Sequence, residues 1–237
     1  MIYLVFRHRI FFRKSSKLLI IPELHSLNNL WKRGKIMKIQ SGISSRGIIG
    51  MVVITFYIIF TILAYTHYPL SYSPMYNWLS DLGNPDINQF GAAFYNIGII
   101  LTALSLFIFY STFLRIRIKG KTVQNVMTYL TVTLGWIGSL ALIMSAIYPI
   151  NNPSKHSFFC MVLFFCLGSA FAFAVAALRY HPQTPRWLLG SGIIVVMVNM
   201  IVQIFFNDVP ISEWINVPFL LVYCVVMGFS AHRALSS

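Results

Sequence analysis

Acidic side chains are almost missing from this 237-residue chain. Five Asp and Glu stand against eighteen Lys and Arg, a formal net charge of +13. Charged residues of either sign make up only 10% of the chain, where a soluble domain carries about a quarter. That is too little polar surface to cover a water-facing shell. Cysteine is scarce as well. Cys160, Cys166 and Cys224 fall inside apolar runs, with no Cys-x-x-Cys pair and no zinc spacing. They read as small apolar packing residues, and no disulfide is expected. A P-loop, a dinucleotide glycine fingerprint and a Gly-x-Ser-x-Gly elbow are all absent.

What the chain does contain is apolar residues, 57% of the total, in long unbroken runs. Runs of that kind point to lipid as the solvent. Six can be read: about 47–65, 90–114, 126–148, 157–178, 187–206 and 214–231. Each is close to the ~20 residues a helix needs to cross ~30 Å of hydrocarbon. The runs lack the alternation of barrel strands, so helices are the spanning form. The expected fold is therefore all-α, a polytopic membrane protein of six transmembrane helices. Most prolines fall in the connecting loops or at their edges, and Pro218 is read as lying near the first turn of the sixth run.

Two regions follow: a basic N-terminal extension, residues 1–45, and a six-helix domain, residues 46–237. The first 46 residues hold ten Lys or Arg against one Glu. Apolar and basic residues mix there, and no run is long enough to span. Three readings stay open: an amphipathic segment on the membrane surface, an Arg-rich transit peptide, or translation from an upstream start, with Met37 opening a more ordinary beginning. Low order is expected. A basic balance can signal nucleic acid. Here the cations sit where retention on the cytoplasmic side and contact with anionic lipid explain them, so no nucleic-acid partner is expected.

Charge also sets an orientation. The loop after the second run carries Arg115, Arg117, Lys119 and Lys121; the loop after the fourth carries Arg179 and Arg186; the tail carries Arg233. The alternate loops carry only Lys155. Six spans then place both termini in the cytoplasm. Asp81, Asp86, Asp208 and Glu213 all fall on the opposite, outer side.

The stretch Tyr72–Asn96 is the longest polar interruption. Ser73-Pro74 reads as a cap and first helical residue, and Met75, Trp78, Leu79 and Leu82 follow at i, i+3, i+4 and i+7. This predicts a short interfacial helix over 74–82 between the first two spans, closed by Gly83 in a left-handed conformation. Its apolar face rests on lipid or the bundle, and it presents Ser80 and Asp81 to a polar mouth. Asn84-Pro85-Asp86 then reads as the cap of the second span. His67, Asn96 and His156 arrive at the same level, and Asn199, Gln203 and Asn207 repeat every four residues along the fifth span. Polar groups facing hydrocarbon are costly, so these turn inward. The candidate binding set is Ser80, Asp81, Gly83, Asn96, His156, Asn199 and Gln203, lining an outward-facing polar cleft. Each has a plainer reading: Asp81 as a cap, His156 satisfying a loop carbonyl, Asn199 and Gln203 joining two helices.

The pattern NWLSDLG, then FGAAFYNIGIILTALSLFIFY and a basic inner loop, resembles prokaryotic six-span proteins of a domain-of-unknown-function class. It is also similar to the DRAM/Frag-type membrane proteins, through Ser80, Asp81 and Gly83 before the second span and a histidine, His156, opening the fourth. The likeness covers about residues 47–234. It implies the six-span fold and, through the DRAM/Frag-type relatives, membrane lipid as substrate class. The leading expectation is a non-catalytic protein binding a lipid or amphiphile in the outer cleft, with a homo-oligomer left open. The alternatives are an intramembrane hydrolase using Asp81 and His156, with His67 as a further ligand, and a small-molecule transporter. No cofactor is expected. The histidine count on the outer side is thin for a metal, and no metal site is assigned.

Overall fold

The computed structural model describes residues 4–6, 9–14, 17–19, 45–181 and 184–233. The chain forms two units, Met1–Gly42 and Ile43–Ser237. In the first, β1 (Leu4–Phe6), β2 (Arg9–Lys14) and β3 (Lys17–Leu19) pair antiparallel in the order β1-β2-β3. Phe6 pairs with Arg9 and Lys14 with Lys17. The rest of the stretch for which low order is expected lies outside the described residues.

The second unit is all-α. Its helices are α1 (Ser45–Thr66), α2 (Gly91–Ser111), α3 (Thr122–Ile147), α4 (Pro153–Leu178), α5 (Arg186–Phe205) and α6 (Ile211–Arg233). All six are long and apolar enough to cross a membrane. Each packs on the next in sequence, and α6 packs on α1, closing a ring. From α2 to α6 the connections are short, which returns each helix antiparallel beside its predecessor. Large apolar side chains such as Ile62, Phe165 and Ile204 stay exposed, the surface expected where the neighbour is lipid.

Inside the ring, Phe109, Tyr110, Phe113, Phe171 and Met227 are fully buried. Small residues let the helices approach. A Cβ at Gly135 would meet the Tyr110 ring at 2.2 Å, and one at Gly138 would meet Leu167 at 2.6 Å. A second, smaller cluster of Ala64, Leu79, Leu82, Tyr95, Ile99 and Ala146 closes the end of the bundle that carries the 67–90 loop.

Three details depart from the sequence reading. The segment 74–82 is not one helix: Pro74–Tyr76 form a turn, and a 3-10 helix runs Leu79–Gly83. Local polar side chains cause this. The Ser73 amide donates to Asn77 Oδ1 (3.0 Å), and the Trp78 amide donates to Asp81 Oδ2 (2.8 Å). Such bonds offer the backbone an alternative to continuous helix. Met75 is consequently exposed, while Leu79 and Leu82 are buried. Gly83 is not left-handed; among the described glycines only Gly120 has positive φ. Gly83 is instead small because Asn96 and Tyr95 press on it, at 2.6 and 2.7 Å from where a Cβ would stand. Finally, α6 begins at Ile211, so Pro218 lies beyond its first turn. The amide that would bond the Trp214 carbonyl is missing there.

Candidate functional site

The site is built at the end of the bundle that carries the 67–90 loop. Asn152-Pro153 starts α4, with Pro153 at the first helical position. His156 therefore sits in the first turn and Cys160 one turn further on, on the same face. On α6, Glu213 occupies the first turn, where the helix dipole favours a carboxylate. Ser80 arrives from the 3-10 helix. Ser80, His156 and Glu213 keep 7%, 8% and 9% of their surface exposed.

The bonding fixes the chemistry of each group. His156 Nδ1 lies 3.0 Å from the Tyr148 carbonyl and 3.2 Å from the Ser145 carbonyl. Both are acceptors only, so Nδ1 carries a proton, and whenever the ring is neutral its lone pair stands on Nε2. Nε2 is 3.3 Å from Cys160 Sγ. Glu213 Oε2 accepts from the Ser80 amide (2.9 Å), and Oε1 accepts from Ser80 Oγ (3.2 Å). One ligand atom each from His156, Cys160 and Glu213 lies within 4.8 Å of the other two.

These side chains form a wall between two cavities. An inner one of about 50 Å³ is lined by Tyr57, Tyr95, Asn96 and Ser145 on the far side. An outer one of about 390 Å³ is lined by Trp78, Pro153, Gln203, Asn207, Asp208 and Ser212. Ser80, His156, Cys160, Phe164 and Glu213 border both. A third cavity of about 360 Å³ runs between α4 and α5, lined by Phe165, Ala172, Val196, Met200 and Ile204. It shares Met161, Gln203 and Asn207 with the outer chamber. A polar chamber thus continues into an apolar groove.

The sequence-named residues divide. Ser80, His156 and Gln203 line the outer chamber. Asn96 borders the inner cavity and donates to the Gly83 carbonyl at 3.0 Å. Asn199 borders only the groove, lying against Gly168, where a Cβ would meet its Oδ1 at 2.3 Å. Asp81 is half-buried and caps the Trp78 amide; no hydrogen bond joins it to His156 among the described residues. Burial pushes its carboxyl above the ordinary value, opposed by the Trp78 amide, the Asn77 side chain and the attraction of His156. Beside it, burial and then the Asp81 charge hold the Tyr72 phenol protonated well above its usual range; the phenol donates to the Trp78 carbonyl at 2.7 Å. His67 is exposed, turns back on the Leu63 carbonyl at 2.8 Å and stands against Phe94.

Sequence reasoning missed Cys160, Glu213 and Asn88. The spacing His156-x-x-x-Cys160 was the available signal for the first. Asn88, not Asn84, secures the start of α2: its Nδ2 donates to the carbonyls of Leu82 (2.9 Å) and Ala64 (3.1 Å), and its Oδ1 accepts from the Gly91 amide (3.2 Å).

One family, described as a protein of unknown function (DUF998), matches residues 48–234. No curated protein and no solved structure matches the chain.

Proposed function

The chain belongs to the DUF998 family of proteins of unknown function, and from that premise we propose that it binds a membrane amphiphile at the 67–90 end of the bundle. The headgroup occupies the outer chamber, and an acyl chain lies in the groove between α4 and α5. The observation that carries this reading is the shared border of the two cavities at Met161, Gln203 and Asn207. Along α5 the groove extends from Val196 to Ile204, about 12 Å at the helical rise, and reaches Asn207 just past the helix end. That is somewhat under half the ~30 Å hydrocarbon thickness, enough for part of one chain. Gln203, Asn207, Ser212 and Ser80 supply hydrogen-bonding groups, and Phe164 and Met161 supply apolar wall.

The likeness of the Ser80-Asp81-x-Gly83 segment to the DRAM/Frag-type proteins, which are linked to lipid handling, favours the same substrate class. The loop charges support a chamber on the extracytoplasmic side and cytoplasmic termini. The hydrolase reading with Asp81 and His156 as a direct pair loses ground, because the Asp81 carboxylate is engaged by the Trp78 amide.

The test is mass spectrometry of amphiphiles that copurify with the protein, comparing the wild type with Ala172→Trp, which fills the groove. An acyl lipid enriched over the bulk membrane is expected for the wild type and lost in the variant. Equal lipid profiles for protein and membrane overturn the reading.

A further inference from the structure

We infer that His156, Cys160 and Glu213 form a binding site for a divalent first-row transition cation, zinc in the first instance. Three observations carry this. The donors converge: one atom from each residue lies within 4.8 Å of the others, and His156 Nε2 and Cys160 Sγ are 3.3 Å apart. A tetrahedral zinc, with bonds of about 2.3 Å to sulfur and about 2.0 Å to nitrogen and oxygen, holds its ligand atoms about 3.3–3.6 Å apart. Closing the widest separation asks for about 1 Å of movement, within the reach of a glutamate side chain.

The outer partners are in place too. Metal-bound histidine characteristically gives its second ring N–H to a carbonyl or carboxylate, which fixes the tautomer and turns the other nitrogen to the metal. His156 Nδ1 does this with two carbonyls, Tyr148 and Ser145. Glu213 is oriented by the Ser80 amide and hydroxyl and retains free lone pairs on both oxygens.

The third observation is access. All three residues border the outer chamber of about 390 Å³, so a fourth coordination position opens onto space that water or a ligand headgroup can fill. Three protein ligands and one open position is the arrangement of reactive zinc sites, whereas closed structural sites use four. The mixed nitrogen, sulfur and oxygen set suits zinc and its neighbours and is poorly matched to calcium or magnesium, which take oxygen. The alternative is a plain S–H···N bond between Cys160 and His156, with Glu213 serving only Ser80.

The experiment is a cobalt titration of full-length protein, purified in detergent without a polyhistidine tag and stripped by chelator. One cobalt per chain is expected, with a thiolate-to-cobalt charge-transfer band and tetrahedral d–d absorption, both displaced by zinc. Cys160→Ser should abolish the charge-transfer band, while Cys166→Ala should leave it intact. Ser80→Ala, which removes the hydroxyl that donates to Glu213, should weaken cobalt binding about tenfold. Ala172→Trp should leave the metal in place, so loss of lipid and loss of metal are read separately. Saturating cobalt without a thiolate band in the wild type overturns the inference whatever the variants do. So does a band that survives Cys160→Ser.

Discussion

The two ends of the helix ring bury polar side chains in opposite ways. At the basic end, Gln124 is fully buried and its side-chain amide is spent on the fold. Its Nε2 donates to the Ile116 carbonyl at 2.9 Å, and its Oε1 accepts from the Ile118 amide at 3.0 Å. Asn125 brackets Ile118 through both its amide and its carbonyl, at 3.0 Å each, and His181 Nε2 donates to the Ile116 carbonyl at 2.7 Å. These residues close the turn between α2 and α3. At the other end, His156, Cys160 and Glu213 each use part of their bonding capacity and turn the remainder to a cavity. A saturated cluster is a joint. A cluster with lone pairs left over, beside open space, is a site.

The sharpest way to break that contrast is to remove a joint. Gln124→Ala strands the Ile116 carbonyl and the Ile118 amide in a buried turn and leaves a cavity, so thermal unfolding in detergent should show a loss of about 3 kcal/mol. Amphiphile enrichment per folded molecule should not change. Asn88→Ala sharpens the point, because Asn88 lies at the same end of the bundle as the chamber yet is saturated by Ala64, Leu82 and Gly91. It should cost about 2 kcal/mol and leave binding intact. A variant of Asn88 that folds normally but loses its ligand would show that position, rather than saturation, decides the role.

The joints and the site were unequally legible. The six spans stand out because each apolar run is close to membrane thickness, and a chain in lipid has few other ways to satisfy its backbone. Helix starts were less visible: Thr122 and Ile211 begin α3 and α6 several residues ahead of the apolar runs, where the bonds of Gln124 and Asn125 to Ile118 and of Glu213 to Ser80 hold polar sequence in helix. That shift hid Glu213, which reads as loop in NDVPISE and is helical in fact. Cys160 was hidden for another reason. In an apolar run a cysteine looks like packing; His156 one turn away is its local partner, and Glu213, more than fifty residues later, completes the cluster. Asn84 reads as the cap because Asn-Pro-Asp is a strong local cap signature, and its Oδ1 does accept locally, from the Asp86 amide at 3.0 Å. The tertiary contacts that select Asn88 are invisible in spacing.

Glu213→Gln addresses the open cluster. Glutamine keeps a carbonyl oxygen for the Ser80 amide and removes a buried charge whose desolvation is costly. Stability should therefore change by about 1 kcal/mol or less, while cobalt affinity falls at least tenfold. If the variant unfolds as readily as Gln124→Ala, Glu213 is a joint like those at the basic end, and the distinction between the two ends fails.

The smallest effect concerns Asp81, which stands between the two classes: it caps the Trp78 amide but is half-buried rather than sealed. Burial raises its carboxyl above the ordinary value, so the folded chain holds this proton more tightly than the unfolded chain. The resulting stabilisation is fully present below the unfolded pKa of about 3.9 and is lost as pH rises through the raised folded value. Asp81→Asn keeps an oxygen for the Trp78 amide and has no proton to lose. The difference in unfolding midpoint, wild type minus variant, should therefore decline as pH rises from about 4 through the raised value and then level off. A difference that instead grows with pH would mean that the Trp78 amide, the Asn77 side chain and His156 outweigh burial, and that the ionised carboxylate is the form this end of the bundle is built around.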